Sequence, residues 1–128
     1  MQLSDDRGSA VAEFVMVGAL LTALALAVVQ LALALHVRNT LVDAAAEGAR
    51  YASLADSTPA DGVLRTRELV AAALGEGYPV EVGAREVAFH GHPAIEITVS
   101  ATLPIAGLLG PPSVLEVSGH AALEPTVE

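Results

Sequence analysis

The chain of 128 residues contains no cysteine, no lysine and no tryptophan, and only 3% of it is aromatic. Without cysteine there are no disulfides, no thiolate metal ligands, no cysteine nucleophile and no lipid carried on sulfur. The six basic residues are all Arg and lie scattered along the chain, against fifteen acidic residues and a net charge of −9. Nucleic-acid binding needs clustered cations, so that class of partner is excluded. The shortage of aromatic rings removes the usual anchors for ligand or base stacking. No Gly-x-Ser-x-Gly elbow, P-loop or dinucleotide fingerprint is present, so no enzyme activity, catalytic residue or cofactor is expected.

What the chain has is one long apolar run. Residues 14–35 carry no charge over 22 positions, and Glu13 stands immediately before them. As a helix such a run spans about 33 Å, enough to cross the hydrocarbon core of a bilayer. The remainder suffices for one small domain with a modest core.

Three readings fit the N-terminal region. A cleaved secretory signal would use the small-x-small site Ala32-Leu33-Ala34, but its apolar stretch is too long and Asp5, Asp6 and Glu13 outweigh Arg7. A plain anchor accounts for Leu20, Leu24, Leu31 and Leu35 as lipid-facing surface. It tolerates Thr22, which can bond its own i−4 carbonyl, and Gln30, which can face another helix. It gives no reason for a carboxylate at the mouth of the run, where deeper burial calls for a partner.

Cleavage between Gly8 and Ser9 provides that partner. Glu13 then becomes the fifth residue of a chain beginning Ser9-Ala10-Val11-Ala12, one helical turn from a new α-ammonium. Amine and carboxylate neutralise one another within a chain or between subunits, and the helix can enter an apolar bundle.

Arg7-Gly8 followed by Ser9-Ala10-Val11-Ala12-Glu13-Phe14 and an apolar helix resembles the processing motif of type IV prepilins. The stretch from Arg38 through Asp43-Ala44-Ala45-Ala46-Glu47-Gly48-Ala49-Arg50 to Ala52 is similar to TadE-like pseudopilins of the tight-adherence (Flp) pilus machinery. The resemblance is strongest over residues 7–52, and it departs from the family in a leader where Asp5 and Asp6 outnumber Arg7. It implies a leader at residues 1–8, a transmembrane helix at 9–35 and an extracytoplasmic domain at 36–128, in a single-pass membrane protein with a cytoplasmic N-terminus. Gly8 and Ser9 would flank the prepilin peptidase cut, with Glu13 and Phe14 serving assembly. The implied partners are that peptidase, other pilin or pseudopilin subunits, an inner-membrane platform and lipid, in pilus assembly, adhesion or secretion. The alternative is an unprocessed single-pass protein whose outer domain binds a ligand or regulates a partner.

The first helix is expected to continue past the membrane, over residues 10–54, with Val37, Leu41, Ala45, Gly48 and Ala52 on one side. Gly48 and the alanines leave a shallow face open to close approach. Residues 56–62 read as a break, and a second helix is expected over 63–74 with Val63, Leu64, Val70 and Leu74 as its apolar contacts. Beyond it the period becomes two. Val80 and Val82, Val87 and Phe89, residues 95–103 and residues 115–123 read as strands, with His90-Gly91-His92-Pro93 as a turn. The expected fold is α+β and pilin-like: a long helix, a short helix and a small three- to four-stranded antiparallel sheet with one wet face.

Within residues 104–112, Ile105, Leu108 and Leu109 either tuck under the sheet edge or contact a partner or membrane. His90, Glu96 and His120 offer the donor types that zinc accepts, and carboxylates those of calcium. Solvated strand, turn and surface residues account for all of them, and no metal is expected.

Overall fold

The computed structural model describes residues 2–103 and 114–125, with side chains from residue 6 onward. Residues 104–112, and with them the apolar loop, lie outside the described part. The element order is α1 (Gln2–Ser53), α2 (Pro59–Leu74), β1 (Val80–Phe89), β2 (His92–Thr102) and β3 (Val114–Ala122), an α+β arrangement. By compactness the chain divides into residues 1–33 and residues 34–128.

The first unit is helical backbone throughout its described residues. Helix α1 begins at Gln2 rather than near residue 10, because no proline interrupts the sequence there and Gly8 costs an exposed helix only about 1 kcal/mol. Phe14, Leu20, Leu21, Leu24, Leu31 and neighbouring apolar side chains are exposed, Phe14 at 80%. Among the described residues, α1 is the one helix long and apolar enough to cross a membrane. Thr22 donates its hydroxyl to the Gly18 carbonyl at 2.8 Å, the local bond that lets a threonine sit in such a helix.

The second unit is built on the C-terminal half of α1. Val37, Leu41, Ala45, Ala49 and Ala52 recur at three to four residues and are buried. They pack with Val70 of α2, Ile95, Ile97, Val99 and Ala101 of β2 and Val117 of β3. Small residues on α1 let its neighbours come close. A Cβ on Gly119 of β3 would lie 2.4 Å from the Ala46 backbone nitrogen, so strand and helix meet nearly backbone to backbone.

Helix α2 starts at Pro59, four residues earlier than its apolar pattern indicates. Thr58 accepts a hydrogen bond from the Asp61 amide at 3.2 Å, while the Asp61 carboxylate accepts one from the Thr58 amide at 2.8 Å. This capping box, with proline in the first turn, turns an apparent breaker segment into a helix start. The buried row of α2 is Gly62, Thr66 and Val70, and Leu64 is 61% exposed. Leu64 is therefore not a core contact. The reason is steric: α2 meets α1 at Gly48, where only small side chains fit.

The sheet is antiparallel in the order β1-β2-β3. Residues 80–89 form one strand, not two. The apolar residues change faces along it. Val80, Val82 and Ala84 pack against the core, whereas the odd-numbered Val87 and Phe89 belong to the opposite face. A two-residue turn, His90 at φ 50° and Gly91 at φ 80°, joins β1 to β2. Positive φ at both positions is the requirement of a type I′ hairpin. The outer face is also less wet than the alternation implies, since Ala94 and Glu96 on it are both buried.

Candidate functional site

Residues Gly8, Ser9, Glu13 and Phe14 all fall in the first turns of α1 and are exposed. Ser9 and Glu13 are four residues apart and therefore share a helix face. Among the described residues, Glu13 makes no ion pair. A Cβ built on Gly8 would meet nothing within 4 Å, so no close approach inside the chain requires glycine there. Residues 8–14 are a stretch of exposed helix whose one carboxylate, Glu13, stands beside an uncovered apolar surface.

A second constellation lies on the outer face of the sheet. Arg85 of β1, Glu96 of β2 and His120 of β3 stand directly across from one another in register. Arg85 Nε donates to Glu96 Oε1 at 2.5 Å, and His120 Nε2 lies 2.6 Å from Glu96 Oε2. Both carboxylate oxygens are engaged, which explains how a charged residue comes to be 9% exposed on a central strand. The hydrogen bond from Arg85, followed by that with His120, holds the Glu96 carboxyl below the usual carboxylate range. Phe89 stacks on His120 with ring centroids 4.7 Å apart and meets His90 edge-on at 4.3 Å.

This grouping differs from the zinc donors considered from sequence. Glu96 and His120 come together, but the third member is Arg85, a cation, and His90 sits in the turn. Among the described residues no cluster of three metal-binding side chains is present. With residues 90–93 as a four-residue turn, Arg85 does not fall opposite Glu96, so the pair is not legible from the sequence pattern. Counting outward from a two-residue His90-Gly91 turn pairs Phe89 with His92 and hence Arg85 with Glu96. The row ties all three strands together and does structural work.

An exposed apolar helix long enough to cross a membrane, followed by a small α+β domain, is the layout of a single-pass membrane protein. Residues 8–50 match the family model described as TadE-like protein, the family that residues 7–52 resemble. That family is structural and pilus-associated. The matched segment contains Gly8, Ser9, Glu13 and Phe14, the whole apolar run, and Gly48 at the helix crossing. No curated protein matches this chain, and no solved structure matches it. The family match and the apolar helix together fit a single-pass membrane protein associated with the tight-adherence pilus.

Proposed function

We propose that the chain is a TadE-like pseudopilin or minor pilin, a structural subunit that inserts in the membrane through α1 and takes part in assembling a tight-adherence pilus or related secretion system. The observation that carries this reading is the order Gly8-Ser9, Glu13, Phe14 and then an uncovered apolar helix, all inside the family match. Residues 1–8 act as the leader on the cytoplasmic side, 9–35 cross the membrane, and 36–128 form the outer domain. A prepilin peptidase cuts after Gly8. The Ser9 ammonium released by that cut neutralises Glu13 and lowers the cost of placing its carboxylate among apolar helices. Other pilins and an inner-membrane platform then receive the helix.

Mass spectrometry of the amino terminus of the native protein tests this directly. A chain beginning at Ser9 is expected. A chain beginning at Met1 or Gln2 indicates a plain anchor, and one beginning at Leu35 a secreted domain. Either result removes the role given to Glu13.

A further inference from the structure

We propose that the outer domain rests directly on the bilayer, with the end of its sheet that carries Leu103 and Val114 seated in the lipid headgroup layer. The inference rests on the membrane reading and adds lipid as a partner of the domain itself, beyond the helix that crosses. Ala34 and Leu35, the last residues of the apolar run, already belong to the second unit. The end of that unit nearest the hydrocarbon is therefore fixed by the chain.

Contacts along β3 show which residues share that end. The Glu124 amide bonds the Ser53 carbonyl, and Gly119 meets the backbone of Ala45 and Ala46. Five strand residues thus cover seven to eight residues of α1, and five more bring Val114 level with about residue 38. Val114 pairs with Thr102 at the end of β2, and Ala101 pairs with Val80 at the start of β1. Tyr78 donates its hydroxyl to the Thr102 carbonyl at 3.0 Å. Ala73, in the last turn of α2, lines one groove with Thr40 and Asp43 of α1, so α2 ends near the same level. Residue 38 lies about 4–5 Å beyond Leu35, and a headgroup layer is about 5–8 Å thick.

The chemistry of this end suits that layer. Val114 is 72% exposed, more than any other large apolar side chain among the described residues of the outer domain. Leu103 and Tyr78 beside it are half-buried. A tyrosine with a packed ring and a bonded hydroxyl is a residue type enriched at membrane interfaces. No charged residue occurs from Ile97 to Leu115. Arg38 is exposed at the same height, where its guanidinium can reach a lipid phosphate. Glu81 and Glu116 both lie on the row of Ser100, about 7 Å from the row of Thr102 and Val114, and mark the border with water. Glu76, in the turn after α2, keeps this end out of the hydrocarbon. Continuity with the span decides the occupant, because a surface level with the point where α1 leaves the hydrocarbon is already among lipid molecules.

The absence of cysteine makes the test clean. The full chain carrying Val114→Cys, or Leu54→Cys or Leu64→Cys as exposed controls farther along the domain, is labelled with an environment-sensitive fluorophore. Each is reconstituted in phosphatidylethanolamine and phosphatidylglycerol vesicles containing a lipid with a nitroxide near its headgroup. A blue shift and nitroxide quenching are expected at residue 114 and neither at residues 54 and 64. Carbonate extraction separates the two levels of the argument. Release of the protein overturns the membrane reading and this inference with it. In retained protein, a label at residue 114 quenched no more than the controls overturns this inference alone. A blue shift there without quenching does so too, and shows that protein covers Val114 instead.

Discussion

Gly48 of α1 and Gly62 of α2 face each other where the two helices cross, so that a Cβ on either would strike the other's backbone carbonyl. The distances are 2.9 Å from a Gly48 Cβ to the Gly62 oxygen and 2.7 Å from a Gly62 Cβ to the Gly48 oxygen. Thr66 closes the same contact, its hydroxyl bonded to the Gly62 carbonyl at 2.8 Å and its side chain completely buried. The crossing fixes how α2 lies on α1, and so which α2 side chains reach the core.

Gly48→Ala and Gly62→Ala are each expected to destabilise the outer domain by about 1–3 kcal/mol, the usual cost of overpacking a tight contact. Gly83→Ala is the control, since a Cβ at Gly83 meets nothing within 4 Å. Urea unfolding of the full chain in detergent should shift its midpoint for the first two and leave it nearly unchanged for the third.

Loss of the α2 cap should be measurable. Thr58→Ala removes the acceptor for the Asp61 amide and is expected to cost about 1 kcal/mol, whereas Thr58→Ser, which keeps a hydroxyl to accept from that amide and donate to the Asp61 carboxylate, should preserve most of the stability. Equal losses in both variants would show that the capping geometry is irrelevant.

The Glu96 row sets an acid limit. Its folded carboxyl titrates below the ordinary range because Arg85 and His120 bond the ionised form. A depressed carboxylate pKa contributes stability that is fully present above the unfolded value, near 4, and disappears as pH falls through the folded value. The wild-type midpoint should therefore decline in that acidic window. Glu96→Gln should flatten this part of the profile, and an unchanged slope would remove Glu96 as its source.

Processing and assembly should part company at two neighbouring positions. Gly8→Ala is expected to block release of the leader, leaving a mass that still includes residues 1–8. Glu13→Gln should be cut normally but enter the pilus-associated fraction less. If neither variant changes cleavage or incorporation, the roles proposed for these residues are wrong.

Much of the fold was legible in advance because it rests on local repetition. The apolar run announces itself by length, and Val37, Leu41, Ala45 and Ala52 by helical spacing, and each of these four is buried. Strand β2 alternates cleanly and is legible. The start of α2 is not, because a proline and an aspartate beside a threonine read as a break singly and as a cap only together. Strand β1 reads as two pieces because Val82 and Val87 are five apart, and an odd separation puts them on opposite faces. The roles proposed for Gly8, Ser9, Glu13 and Phe14 rest on their order in the sequence. The place of Arg85 beside Glu96 is not legible in the sequence, since a cross-strand partner depends on the length of a turn elsewhere.

The sequence by itself determined what depends on the order of nearby residues: a membrane-length helix with Glu13 at its mouth, the helical face that becomes core, and the absence of thiol and lysine chemistry. The tertiary structure alone decided what depends on contacts between distant segments. It set Gly48 against Gly62, Gly119 against α1, and Arg85 and His120 on either side of Glu96. Periodicity tells each segment which side is apolar, but only packing in three dimensions decides which neighbour that side meets and at what register.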